Sequence, residues 1–298
     1  MRSFLASSLV ALAMATPLGA QSGRPVFDPH VHMFWPGEDA EALLDSLRAA
    51  GVVKALAILH DWTLVDSVGY DATLLIPAIG FPCPSGHAPN GGAPCFREGL
   101  DFPPLDALRR AIEAGKVQAF AELYTPYYGI SPASDEMEPY WALAQEYDLP
   151  VGLHMAMVPP GAAQGCCPDA RAALGDPLLL EDVLVRFPRV RVFLMHAGYP
   201  YLESTIALAT VYPEVHLELG ALQWAVPRPV YYAYLRRLVE AGFGDRLMVG
   251  SDTDIAGAVQ AIEDADFLTP EQKDAILYDN AMRFFRLDGA PEAAEGPQ

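Results

Sequence analysis

Basic residues are scarce in this sequence of 298 residues: 19 Lys and Arg face 38 Asp and Glu, a formal net charge of −19. So few cations argue against nucleic acid as a partner, since binding to phosphates draws on Lys and Arg, and against an anionic membrane surface. Small-molecule partners stay open, because a bound metal outweighs the average charge locally. Charged residues of either sign make up only 19% and hydrophobic ones 52%, which excludes wholesale disorder and allows a sizeable core. The apolar run from Phe4 to Ala15 is too short and too rich in Ser, Thr and Ala for a membrane anchor. No Gly-x-Gly-x-x-Gly turn supports a dinucleotide fold, and no Gly-x-Ser-x-Gly supports a serine hydrolase. No linker or shift in composition marks a second domain.

The same N-terminal run reads as an export signal. Arg2 supplies the positive end, Phe4–Ala15 the apolar stretch, and Pro17-Leu18-Gly19-Ala20 a small-residue cleavage site. Residues 1–20 are therefore expected to be removed, leaving a secreted or periplasmic protein without a membrane span. Residues 21–288 would form the folded domain, and the Ala/Glu/Pro/Gly-rich residues 289–298 a disordered tail.

Cysteine is also scarce, and its count of four is even. In an oxidising compartment this favours disulfides. Cys83 and Cys95 bracket a Pro/Gly-rich loop that could hardly order itself by packing, so a Cys83–Cys95 bond is the preferred reading. Cys166 and Cys167 would then be a vicinal disulfide, a free pair, or partners of the first two. A four-cysteine zinc site is the alternative, disfavoured because adjacent cysteines lack the usual spacer.

Apolar runs alternate with helical patterns along the chain. The candidate strands are Pro25–Asp28, Val53–Leu59, Leu74–Ile79, Val117–Leu123, Pro150–His154, Val190–His196, Val215–Leu219 and Leu247–Gly250. Amphipathic segments such as EDAEALLDSLRAAG, PLDALRRAIEAG and PVYYAYLRRLVEAG separate most of them. Thr269-Pro270-Glu271-Gln272 opens a last helix with a capping pattern. Strands alternating with helices imply a parallel sheet, and eight such units fit an α/β fold of the closed (β/α)8 TIM-barrel type in a single domain. An open doubly wound sheet is the competitor. The loop from Phe81 to Pro104 is long enough to overhang the catalytic face.

In a parallel barrel the C-terminal strand ends converge on one rim. His30 and His32 fall at the end of strand 1, His60 at strand 2, His154 at strand 5 and His196 at strand 6, so five of the seven histidines share that rim. His87 lies in the long loop and His216 begins strand 7 at the opposite rim. Glu122 ends strand 4 and Asp252 ends strand 8. Nitrogen and oxygen donors concentrated in this way point to a metal.

These motifs, DPHVH, PVGLH, MHAG, GSD and the closing DNAMRFFRL, resemble the amidohydrolase superfamily and within it the amidohydrolase-2 group of metal-dependent TIM-barrel hydrolases and decarboxylases. The resemblance runs from about Pro25 to Leu287. It implies that His30, His32 and Asp252 bind a first metal and that His154 and His196 bind a second, or that one of them binds and the other acts in catalysis. Many members carry a Lys at the end of strand 4; here Lys116 precedes the strand and Glu122 stands at its end, similar to the bridging Glu of other branches. Without Glu122 as ligand, a single-metal site of His30, His32, His154 and Asp252 is expected, with His196 free as acid or base. Imidazole and carboxylate donors suit zinc first, and manganese or iron as alternatives.

The leading expectation is hydrolysis of a C–N or C–O bond in an amide, lactone or ester. Asp252 would be the general base towards a water made acidic by the metal, and His196 or the metal would polarise the carbonyl. The alternative is non-oxidative decarboxylation of an aromatic or unsaturated acid. A third reading, a binding module with a degenerate site, is opposed by the complete ligand set. The partner is thus a small-molecule substrate, and a homo-oligomer is left open. Weaker candidates for substrate contact are His60, Trp62, Tyr127, Trp224 and Arg228, with Tyr124 and Tyr128 near the same rim. Asp28 and Glu218 are candidates for orienting the ligands.

Overall fold

The computed structural model describes residues 23–33, 38–67, 69–83, 95 and 101–288. The expected signal segment, the tail after residue 288, His87 and most of the long loop lie outside the described residues.

Eight strands form one parallel sheet in the order β1 to β8: Val26–His32, Val52–Leu59, Leu75–Phe81, Ala119–Leu123, Pro150–His154, Arg191–Met195, His216–Glu218 and Leu247–Met248. The ring is closed from β8 back to β1 by a bridge between Val31 and Asp252, whose N–H donates to the His30 carbonyl at 2.9 Å. The fold is a (β/α)8 barrel. The helices are α1 (Ala40–Ala49), α2 (Leu105–Glu113), α3 (Glu138–Glu146), α4 (Glu181–Arg186), α5 (Leu202–Val211), the one-turn α6 (Leu222–Ala225), α7 (Arg228–Glu240), α8 (Ile255–Glu263), α9 (Pro270–Asp274) and α10 (Asn280–Phe284). A five-residue π segment joins α9 to α10. Thr269 caps α9 with the reciprocal capping box expected from TPEQ: its hydroxyl accepts from Gln272 N–H at 3.2 Å, and the Gln272 side chain accepts from Thr269 N–H at 2.9 Å.

Valine, leucine, isoleucine and phenylalanine dominate the strands because a parallel sheet covered by helices is buried on both faces. β2 shows this, with its last five residues all buried. Inside the barrel, Phe27, Leu56, Ile58, Phe193 and Met195 pack with Phe284 and Phe285 from the C-terminal helix, which covers the lower end.

The observed strands depart from the expected ones where the site is built. β1 runs on through His32 rather than stopping at Asp28. Its register slips between Asp28 and Val31, which absorbs Pro29, a residue with no N–H to give the ladder. The register also slips between Phe120 and Leu123, the pair that brackets Glu122. Such irregularities re-aim a side chain towards a site. β6 and β8 end earlier than expected. His196 and Asp252 stand just beyond them with φ of 59° and 60°, left-handed conformations that cost a non-glycine residue on the order of 1–3 kcal/mol.

Cys83 is bonded to Cys95, both fully buried, and Cys166 to Cys167.

Candidate metal centre

β1 presents both imidazoles of His30-Val31-His32 towards the barrel mouth. His30 Nε2 and His32 Nε2 stand 3.3 Å apart. Asp252 Oδ1 lies 3.8 Å from the first and 3.4 Å from the second. Glu122 Oε2 lies 3.5 Å and 3.4 Å from the same two nitrogens. Each of the two imidazole nitrogens thus has a carboxylate oxygen of Asp252 and one of Glu122 within 3.8 Å, a set of nitrogen and oxygen donors of the kind that holds a divalent cation.

Glu122 faces a second group with its other oxygen. His154 Nδ1 contacts Glu122 Oε1, and His196 Nε2 lies 3.3 Å from that oxygen and 3.0 Å from His154 Nδ1. One carboxylate therefore shares its two oxygens between two clusters, His30/His32/Asp252 and His154/His196. The donor set fits divalent cations on chemical grounds: pairs of imidazole nitrogens face each other at 3.0–3.3 Å beside buried carboxylates, and a cation satisfies all of these lone pairs at once.

The outer nitrogens are held by the fold. His30 Nδ1 donates to Glu218 Oε2 at 3.0 Å, and His196 Nδ1 donates to the Gly220 carbonyl at 2.9 Å, so each ring turns its Nε2 lone pair inward. Glu218, fully buried on β7, also accepts from His196 N–H at 3.3 Å and from Gly220 N–H. Asp28 does not reach the His30 ring. It accepts from the backbone N–H groups of His30 at 3.0 Å and Ser251 at 3.1 Å, and so ties β1 to the loop after β8. Ser251 Oγ donates to the His30 carbonyl at 3.1 Å.

Burial alone would raise the Glu122 carboxyl pKa, but His154, His196 and His30 hold it well below the usual range. Burial would likewise raise that of Asp252, which His32, His30 and His196 bring down to about 2. His60 is pushed down to about 3 by burial and by His32, so its ring is neutral. That ring stacks 6.4 Å from His32.

Above the centre lies a cavity of about 350 Å³. Tyr127 and Trp224 line it, as do His32, Glu122, His154, His196 and Asp252. His60, Trp62 and Arg228 are not in its lining; Arg228 lies over the Tyr232 ring, 5.4 Å from its centroid. Sequence reasoning missed Tyr199, the β5 loop residues Met157 to Pro160 and Leu222, all of which line the cavity. Loops carry no periodicity that would have marked them.

An amidohydrolase family model, amidohydrolase-2, matches residues 89–287. The chain belongs to the amidohydrolase family. Among curated relatives, Protein fluG of Emericella nidulans is 25% identical over 234 residues. That alignment covers 67% of this chain, which spans about a quarter of the relative's length, 26%. Among solved structures, a 2,6-dihydroxybenzoate decarboxylase from Rhizobium superposes with a TM-score of 0.61 at 13% identity, covering 90% of this chain and 99% of that one. A putative 2-pyrone-4,6-dicarboxylic acid hydrolase from Pseudomonas putida gives 0.62 at 15% identity, covering 89% and 98%. A dihydroxybenzoic acid decarboxylase from Polaromonas, solved with manganese and an inhibitor, gives 0.60 at 13%, covering 92% and 99%. At these identities the amidohydrolase shares their fold, and their reactions differ among themselves.

Proposed function

We propose that this amidohydrolase is an exported, metal-dependent hydrolase of a C–N or C–O bond in an amide, lactone or ester. The observation that carries the reading is Glu122, whose two oxygens face the two histidine clusters 3.3–3.5 Å away. In this reading His30, His32 and Asp252 would hold one cation and His154 and His196 a second, with Glu122 offering one oxygen to each cluster. Zinc suits these donors, as do manganese and iron, and the manganese in the Polaromonas relative supports a divalent ion of this kind. Such cations make water acidic enough to lose a proton near neutral pH and polarise a carbonyl.

The chain's own groups do the rest. Asp252 lines the cavity, and its carboxylate accepts the proton of the attacking water. The water oxygen bonds to the carbonyl carbon, the C–N or C–O bond breaks, and Asp252 returns the proton to the departing nitrogen or oxygen. His154 and His196 hold the far side of the centre, and the bonds from His30 to Glu218 and from His196 to Gly220 keep both rings from turning. The likeness to decarboxylases favours a second reading, loss of carbon dioxide from an aromatic or unsaturated acid at the same centre.

Metal-loaded protein offered esters, lactones and amides, and in parallel aromatic acids with detection of carbon dioxide, decides between them. Equimolar acid and leaving group support hydrolysis, and carbon dioxide release without hydrolysis overturns it. His30→Ala should abolish turnover in either case.

A further inference from the structure

His154 is held differently from the other histidines of the centre. His30 and His196 turn Nε2 inward and tie Nδ1 to Glu218 on β7 or to the Gly220 carbonyl just beyond it. His154 turns Nδ1 inward to Glu122, and its Nε2 donates to the Met157 carbonyl at 3.3 Å. Its outer partner therefore lies on the loop after β5. Met157 N–H donates to the Tyr199 carbonyl at 3.1 Å, but the Met157 carbonyl belongs to the peptide shared with Val158, where the loop leaves that anchor. Beyond Val158 the loop is held by its own turns: Ala162 N–H donates to the Pro159 carbonyl at 3.1 Å, Gly165 N–H to Gly161 at 3.0 Å and Cys167 N–H to Ala162 at 2.9 Å. Its far end is tied by Arg171 N–H, which donates to the Pro126 carbonyl at 3.1 Å.

Between these anchors Cys167 and Ala162 pack in a small buried cluster with Tyr124 and Tyr127, and Val158 lies against it. The Tyr127 ring stands edge-on to His154, with 4.8 Å between centroids. So small a cluster orders a loop weakly, and the bond between Cys166 and Cys167 adds a covalent constraint in the same stretch. Cys167 is 1% exposed, whereas Cys166 is exposed and open to attack by a thiolate.

We propose that the Cys166–Cys167 bond is a redox-responsive site that sets how firmly His154 is held for its cation. This rests on His154 being a metal ligand, a role it has in the one-ion and the two-ion centre alike. A dithiol supplies two electrons and two protons. One of its thiolates attacks Cys166 Sγ, the bond to Cys167 breaks and its electron pair goes to Cys167 Sγ, which takes up a proton. The second thiolate then displaces Cys166, and the dithiol closes to its own disulfide. The chain is left with two thiols. Freed from the ring, the backbone of Cys166 and Cys167 gains conformational freedom, the packing of Cys167 on Tyr127 loosens, and the peptide that presents the Met157 carbonyl moves with Val158. His154 then loses the partner that orients its ring. Cys83 and Cys95 are both fully buried, so a mild dithiol reaches Cys166 first.

The test uses the full chain, with dithiothreitol and zinc as probes. Mild dithiothreitol, removed before measurement, should expose two thiols to a chromogenic disulfide reagent in wild type and none in Cys166→Ala/Cys167→Ala. In the reduced wild type the amide protons of Ala162, Gly165 and Cys167 should exchange with solvent roughly tenfold faster or more, and reoxidation should restore them. By competition with a chelating dye, Cys166→Ala/Cys167→Ala, which has no freed thiol to bind the ion itself, should hold its weakest zinc about 10–100-fold less tightly than wild type. In His154→Asn the same two alanines should leave the remaining zinc affinity unchanged. If the alanine variant fails to fold, the titration is made on reduced wild type with its thiols capped by iodoacetamide. Thiols that appear only on unfolding, or amide exchange that ignores their release, overturn the redox site. Unchanged zinc affinity, or an equal loss in the His154→Asn background, overturns the hold on His154. Failure to hydrolyse any ester would sink the hydrolytic reading and leave these results standing, because none of them uses turnover.

Discussion

Glu218 Oε2 accepts a hydrogen bond from His30 Nδ1 at 3.0 Å, with both side chains fully buried. The bond fixes which nitrogen of His30 carries the proton and turns Nε2 towards His32, Asp252 and Glu122. Glu218→Gln keeps the size but replaces a carboxylate with an amide. Metal affinity should fall about 10–100-fold, the usual cost of losing such a partner. Competition with a chelating dye measures it; unchanged affinity would show that the ring is held by other contacts.

Gly250 is the room that Glu218 occupies. A Cβ at that position would overlap Glu218 Oε1, and the neighbouring Gly220 is nearly as tight. Gly250→Ala should therefore displace a buried carboxylate from its partners and destabilise the fold by about 1–3 kcal/mol, with a loss of metal affinity like that of Glu218→Gln. Denaturant unfolding read beside the dye titration checks both effects.

His216, at the rim opposite the site, packs its ring 4.6 Å from Phe284. Burial, helped by Arg246 and Arg283, pushes its pKa down to about 4 although Glu214 partly opposes this. The unfolded chain takes up this proton near pH 6.5 and the folded chain only near 4, so the unfolded state binds more protons between those values. Stability contributed here is present above pH 6.5 and is lost as the pH falls towards 4. His216→Gln should flatten that part of the curve by about 1–3 kcal/mol. An unchanged slope between pH 7 and 4.5 would contradict it.

The Cys83–Cys95 bond closes a loop with a sequence separation of 12. Replacing both cysteines with alanine should cost about 3 kcal/mol by the loop-entropy relation. Thermal unfolding of the double variant, compared with wild type under oxidising conditions, measures the loss.

Much of this architecture is written in the sequence. The eight apolar runs separated by amphipathic segments gave the barrel, because strands buried on both faces read as continuous apolar runs, as in Val52–Leu59, and helices buried on one face read with a period of 3.6, as in Arg228–Glu240. His30 and His32 were visible as a pair because strand geometry alone aims them together. Less visible was the turn of Glu122 towards both clusters, since it depends on a slip of register in β4 that no spacing announces. Glu218 was legible only as an inward-facing carboxylate, whereas its partner His30 is brought to it by closure of the barrel, with β8 between β7 and β1. Asp28 shared a face with His30 in sequence, but the slip after it turned its oxygen to backbone N–H groups instead of the ring. The cavity wall from Met157 to Pro160 belongs to a loop, whose course is set by tertiary packing rather than by local pattern.

If Glu122 joins two cation sites into one hydrolytic centre, the metal content of Glu122→Gln beside wild type shows it. Elemental analysis after loading with zinc should give two ions per chain for wild type and one for the variant, with hydrolysis reduced at least a hundredfold. One ion in both proteins, with activity retained, would show a single-ion site that does not need Glu122.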